Sequence, residues 1–268
     1  MTDRTSVVLK LGGELLEEPE ARRDIAVAIR RLAAQGPLVV VHGGGREVDA
    51  ELAAKGIPKH AVDGLRLTDV ATLDVVVGVL AGRVNTRLVA AARAAGVRAV
   101  GLTAADAEVS TTRRAEPYTA SDGAIVDLGL VGQPTGVDRP ALLDQLCQTG
   151  RVPIVASIGA DDAGQLLNVN ADTLAGHLAA RLGAARLLIA GGTSGVLDTQ
   201  GRTIPSVDEP LLERLIADGR ASAGMVAKLI ACRVARRGGV ARVDIVNGRG
   251  TDDMETAQGT TIGTSASG

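Results

Sequence analysis

The chain has 268 residues, a formal net charge of −2 and 46% apolar residues, but only one tyrosine and neither phenylalanine nor tryptophan. That length suits one large α/β unit or two lobes sharing a sheet, with a core of aliphatic side chains. The charge balance excludes a general basic field for nucleic acid or membrane, and the lack of aromatics excludes base-stacking platforms.

The N-terminus, MTDRTSVVLKLGG, has no charged region followed by a long apolar run, so no signal peptide is expected. No apolar run approaches the ~20 residues of a membrane-spanning helix. Cys147 and Cys232 lack metal-ligand spacing. The expectation is a cytoplasmic protein without a structural disulfide and without a metal cluster.

In chain order, VVLKL (7–11) reads as a strand that runs into Gly12-Gly13. Residues 19–34 have a helical apolar period, with Pro19 at the start and Gly36 past the end. LVVV (38–41) is a buried strand entering His42-Gly43-Gly44-Gly45, and 46–55 restart as a helix. One or two Ala-rich helices cover 69–95, and 97–102 is a strand. Residues 103–133 are polar and turn-rich, consistent with a hairpin or a lid. A helix (ALLDQLCQTG) and a strand (152–157) follow, then a helix opening at Asn170-Ala171-Asp172. The strand 186–190 enters Gly191-Gly192; two helices, a last strand (ARVDIVNG) and a frayed SASG tail complete the chain. This alternation predicts an α/β fold, a mainly parallel open sheet sandwiched by helices, with ligands at the C-terminal ends of the strands. A soft boundary divides it into lobes 1–178 and 179–268.

Only four of the 29 basic residues are lysines: Lys10, Lys55, Lys59 and Lys228. Lys55 and Lys59 lie in a polar stretch and read as solvated surface. Lys10 ends the first strand, before a glycine pair that can present backbone N–H groups to an anion. The competing interpretation is a tight turn with a snorkelling lysine. His42, beside three glycines, reads as a structural hydrogen-bonder. Neither a Walker A loop nor a dinucleotide fingerprint is present. Arg66, in Gly64-Leu65-Arg66-Leu67-Thr68, is suited to clamp a carboxylate through two parallel hydrogen bonds, although with 25 arginines (29 − 4) a surface role competes. Asn168 and Asn170 share one side of an extended segment. Asp172 is placed either to cap the next helix or to hold nearby lysines. Lys228 follows Gly224-Met225 in the second turn of a helix, a reasonable phosphate position, with an amphipathic surface as the alternative. Together these residues supply what phosphoryl transfer requires: positioning, and cations around the transferring group.

In this order and spacing, K-L-G-G, H-G-G-G, G-L-R-L-T, N-V-N-A-D and G-M-x-x-K resemble the amino-acid kinase family, in its acetylglutamate branch, over nearly the whole chain. The resemblance implies a carbamate kinase-like fold and phosphorylation of the side-chain carboxylate of N-acetyl-L-glutamate by ATP with nucleotide-bound Mg²⁺. It implies that Lys10 and Lys228 stabilise the transferring group and that Asp172 orients both. Gly44, Gly45, Arg66, Asn168 and Asn170 would hold the substrate. Gly12, Gly13, Gly192, Thr193, Ser194, Gly195, Ser222 and Met225 would serve the nucleotide. Gly192 stands where the family usually has Asp. The resemblance further implies a homodimer, and the short stretch before Lys10 implies no inhibition by arginine. A sibling kinase for another acyl-glutamate or aspartate, or a non-catalytic regulator on the same fold, are the competing expectations.

Overall fold

The computed structural model describes residues 6–120, 122–136, 140–217 and 223–263; Ser222 and the SASG tail lie outside them. Strands β1 (Val7–Leu11) and β2 (Leu38–His42) flank helix α1 (Pro19–Gln35), and α2 (Gly45–Ala54) precedes the short pair β3 (Ala61–Val62) and β4 (Leu65–Arg66). Helix α3 (Val70–Val77), a π-helical stretch (Gly78–Val84) and α4 (Asn85–Ala94) run on to β5 (Ala99–Thr103). The polar segment then supplies β6 (Thr112–Arg114), β7 (Tyr118–Thr119), β8 (Ile125–Val126) and β9 (Val131–Pro134). Next come α5 (Ala141–Gln148), β10 (Val152–Ala156), β11 (Ile158–Ala160), β12 (Leu166–Val169) and α6 (Ala171–Leu182). The chain finishes with β13 (Arg186–Gly191), β14 (Ser206–Val207), α7 (Glu209–Ala217), α8 (Ala223–Arg237), β15 (Arg242–Asn247) and β16 (Gly259–Ile262).

The main sheet has the order β14-β16-β15-β13-β1-β2-β10-β5 and is parallel except where β16 meets β15. The three strands that end in glycine-rich loops, β13, β1 and β2, are therefore adjacent, and their C-terminal loops converge. A second sheet, β11-β12-β9-β6, returns Asn168 to that end. Residues 103–133 form nested antiparallel pairs, β7–β8 inside β6–β9, rather than one hairpin. The β11–β12 hairpin was not anticipated. The division at residue 178 falls inside α6, and β1 pairs with both β2 and β13, so one sheet serves both parts.

Alternation along β1 assigns its side chains. Leu9 and Leu11 enter the core layer that holds Ile25 and Ile29 of α1, Leu80, and Leu88 of α4. Val8 joins the opposite layer, with Leu174 and Leu178 of α6 and Leu229 of α8. Lys10 is in register with Val8 and so faces α6 and α8. The helix Val70–Ala94 is long and apolar enough to cross a membrane by length and composition, an outcome the run-length argument did not foresee. Here Leu73, Val76, Leu80, Val84 and Leu88 along it are buried in the core.

His42, fully buried at the end of β2, is a structural hydrogen-bonder as expected. Its Nδ1–H donates to the Gly43 carbonyl (3.0 Å) and its Nε2 accepts from Asn85 Nδ2 (3.0 Å), which also donates to the Ile154 carbonyl (2.9 Å). This node ties β2, β10 and the end of the π-helical stretch together beneath the Gly43–Gly45 loop. Burial lowers the His42 pKa from 6.5 to about 4, against the opposing pull of the Gly43 carbonyl. The unfolded chain thus binds the proton first as pH falls. The stability due to neutral His42 is complete above pH 6.5 and declines towards pH 4, by up to ~3 kcal/mol. His177, also lowered to about 4 by burial, adds in the same direction. Urea unfolding at about pH 7 and about pH 5 should show a smaller difference for His42→Gln than for the native chain. Equal differences would contradict this assignment.

Candidate active site

Lys10 Nζ lies 3.0 Å from Asp172 Oδ1, and Lys228 Nζ lies 3.9 Å from Asp172 Oδ2. One carboxylate thus meets two ammonium groups, one per oxygen, with Lys10 and Asp172 both buried. Lys228 also donates to the Gly224 carbonyl at 3.3 Å. Burial holds the Lys228 pKa below the ordinary lysine value, Asp172 opposes that shift, and Lys10 adds to it. Helix α6 supplies Asp172 and α8 supplies Lys228. A Cβ on Gly176 would lie 2.6 Å from the Ala231 carbonyl oxygen, so the two helices approach closely only because residue 176 is glycine. Gly176 is one turn beyond Asp172, and Ala231 three residues beyond Lys228, so that contact sets the spacing of the charged pair.

Asp172 is not the helix cap. Asn170 caps α6, its Oδ1 accepting from the N–H groups of Asp172 (2.9 Å) and Thr173 (3.0 Å). This leaves the Asp172 carboxylate for the lysines. Asn168 Nδ2 donates to Thr68 Oγ1 (3.1 Å). Both asparagines line the same cavity as Lys10, Asp172, Gly12, Gly13, Gly44 and Gly45. Its floor is two glycine loops packed back to back: a Cβ on Gly13 would lie 2.6 Å from Gly44 Cα. Gly44 is the N-cap of α2 and offers no side-chain acceptor, so the first N–H groups of that helix are left for a ligand. Arg66 completes the wall. It pairs with Asp49, which also binds Lys59 at 2.7 Å, while among the described residues its buried Nη1 has no hydrogen-bond partner. Burial opposes ionisation of Asp49, but the hydrogen bonds from Lys59 and Arg66 hold its pKa below the usual carboxylate value. A guanidinium in the cavity wall with one nitrogen left unpartnered suits a carboxylate ligand. Lys59 is exposed, as its sequence context suggested, and lines the adjoining cavity.

A second cavity opens on the other side of Lys228, lined by Gly192, Thr193, Gly224, Met225, Arg46, Arg249 and Glu14. Ser194 and Gly195 do not line it. Ser194 Oγ accepts from Asn247 Nδ2 at 3.5 Å. Gly195 has φ +88° and is tucked against Thr260, where any Cβ would overlap that residue. Gly195 therefore serves the turn. Sequence reasoning passed over Glu14, Arg46, Asp49, Asn85 and Arg249. Glu14 directly follows the Gly12-Gly13 pair, and that adjacency was the one available signal.

With this geometry in view, the sequence profile of the Amino acid kinase family matches residues 5–247. The chain belongs to the amino acid kinase family. An acetylglutamate kinase of Erythrobacter litoralis is 40% identical over 247 residues, 90% of this chain and 82% of the relative. Among solved structures, N-acetylglutamate synthase from Neisseria gonorrhoeae, complexed with coenzyme A and N-acetyl-glutamate, superposes with a TM-score of 0.82 at 26% identity. That match covers 98% of this chain and 60% of the synthase. Carbamate kinase from Giardia lamblia, at TM-score 0.67 and 16% identity over 98% of this chain and 100% of that one, shares the fold. The mainly parallel sheet sandwiched by helices is thus the fold of this family.

Gly176→Ala should force α6 and α8 apart and lower stability by about 1–3 kcal/mol in urea unfolding. Gly224→Ala in the same helix pair, where a Cβ meets nothing within 4 Å, should not. Equal effects of the two substitutions would contradict the close-contact argument.

Proposed function

We propose that the chain, acting as a cytoplasmic homodimer, transfers the γ-phosphoryl group of ATP to the side-chain carboxylate of N-acetyl-L-glutamate in arginine biosynthesis. The observation that carries this reading is the Lys10–Asp172–Lys228 cluster, with Lys10 and Asp172 buried and Lys228 half-buried, set between a carboxylate-binding wall and a cationic cavity. Support also comes from the name of the kinase relative and from the N-acetyl-glutamate held by the structurally similar synthase.

The roles follow from placement. Arg66 receives the substrate α-carboxylate, Asn168 and Asn170 face its polar atoms, and the Gly44 and Gly45 N–H groups close on the substrate from the start of α2. A side-chain carboxylate oxygen attacks the γ-phosphorus, the bond from that phosphorus to the β–γ bridging oxygen breaks, and ADP leaves with the electron pair. The product is an acyl phosphate. Charge spreads over the equatorial oxygens in the transition state, and two ammonium groups fixed in advance stabilise it without reorganising. Residues 1–178 would hold the acyl amino acid and 179–268 the nucleotide, with Gly12, Gly13, Gly192, Thr193 and Met225 towards its phosphates. Among the described residues no group of three His, Cys, Asp or Glu side chains is placed to hold a metal ion. Mg²⁺ would therefore come with the nucleotide, held mainly by phosphate and water oxygens, and would neutralise phosphate charge. A regulator without catalysis would have little use for two lysines gathered on one aspartate.

ADP release with N-acetyl-L-glutamate as acceptor tests the reading. Lys10→Ala and Lys228→Ala should each lower kcat about 10²- to 10³-fold while N-acetyl-L-glutamate still binds. A near-native kcat for Lys10→Ala would refute the assignment.

A further inference from the structure

Glu14 has no place in the transfer chemistry, yet it occupies a conspicuous position. Its Oε1 accepts from the Gly192 backbone N–H at 2.9 Å. The carboxylate is folded tightly over two other glycines. A Cβ on Gly12 would overlap all three of its carboxylate atoms, and one on Gly191 would lie 3.3 Å from Oε1. The missing side chains at residues 12, 191 and 192 thus create a seat for an anion at the ends of β1 and β13.

Cations surround that seat. Lys228, Arg46 and Arg249 share the cavity with Glu14. The Arg249 guanidinium lies over Gly192, its Nε 2.8 Å from where a Cβ would be. Among the described residues the Arg249 side chain has no hydrogen-bond or ion-pair partner. None of the three cations comes within 4 Å of the Glu14 carboxylate, so they are not consumed by it. An open cavity with a backbone donor, three cations and room beside them is built for a polyanion larger than one carboxylate.

We propose that Glu14 is a built-in competitor for the nucleotide: its carboxylate holds the Gly192 amide that a nucleotide phosphate takes, and it must swing away when the phosphate enters. This rests on the nucleotide reading of the Gly192 cavity given above. In the free protein Arg46 pairs with Glu17 and Lys228 with Asp172, and Glu14 adds nearby negative charge that favours the charged form of Lys228. On binding, a phosphate and the Glu14 carboxylate converging on one N–H repel each other, so displacement of Glu14 subtracts from nucleotide affinity. The residue thereby sets the affinity for the phosphates while taking no part in the transfer.

Isothermal titration of the full chain with ADP, with and without Mg²⁺, tests this in the native protein, Glu14→Gln, Glu14→Ala and Lys228→Ala. The expected result is ADP affinity raised about fivefold or more in Glu14→Ala, less in Glu14→Gln, whose amide oxygen still accepts from Gly192. Any gain for N-acetyl-L-glutamate should be smaller. Unchanged or weaker ADP binding in both Glu14 variants would overturn the proposal, as would an equal gain for both ligands, which would mark a bulk charge effect. Weaker binding confined to the Mg²⁺ titrations would also overturn it, by making Glu14 a metal ligand. If the native chain bound no ADP, or bound it with no loss in Lys228→Ala, the nucleotide reading itself would fail and the proposal with it.

Discussion

The site depends on one shared carboxylate. Asp172 faces two ammonium groups in a region where all three side chains are largely removed from water. Without it, two like charges would confront each other across a desolvated gap, an arrangement that costs several kcal/mol per unpaired ion. With it, the cluster carries a net charge of about +1 before any ligand arrives. That is the electrostatic state a phosphoryl group needs: cations already in place, held apart, and not fully neutralised. The lowered pKa of Lys228 reflects the same balance, with burial outweighing the help that Asp172 gives.

Each part of this arrangement is inherited from ordinary features of the fold. The two-residue period of β1 turns Lys10 towards the α6–α8 layer. The close contact at Gly176 brings α6 and α8 within reach of it. Asn170 takes over the cap and leaves Asp172 to the lysines. The adjacency of β13, β1 and β2 gathers three glycine loops at one edge, where backbone N–H groups replace side chains as anion donors. Charge is then divided between two sides. Arg66, Asp49 and Lys59 line one cavity, Arg249 and Lys228 line the other, and Arg46 and Glu14 stand between them and line both.

Local patterns were legible in the sequence, and tertiary partnerships were not. The scarcity of lysine singled out Lys10 and Lys228, and the strand–helix alternation gave the parallel sheet. Pro19 and Gly36 bounded α1 as written. Choosing between Asn170 and Asp172 as cap was beyond local reasoning, because both are good capping residues and stand two apart. Only the position of Lys10 shows which one is committed elsewhere. The Asp49 partner of Arg66 and the Arg249 guanidinium over Gly192 lie 17 and 57 positions away in the chain, and no spacing rule links them. The π-helical stretch that seats Asn85 beneath His42 reads GVLAGRV; its two glycines set it apart from the α-helices on either side, but glycine alone does not specify a π-helical turn.

The most direct measurement is kcat for Asp172→Asn in the ADP-release assay, taken together with its urea unfolding curve. The shared-carboxylate account predicts a fold that persists and a kcat lower by about 10²-fold or more, because the amide keeps the shape but no longer holds the two ammonium groups. A folded Asp172→Asn variant with near-native kcat would contradict it.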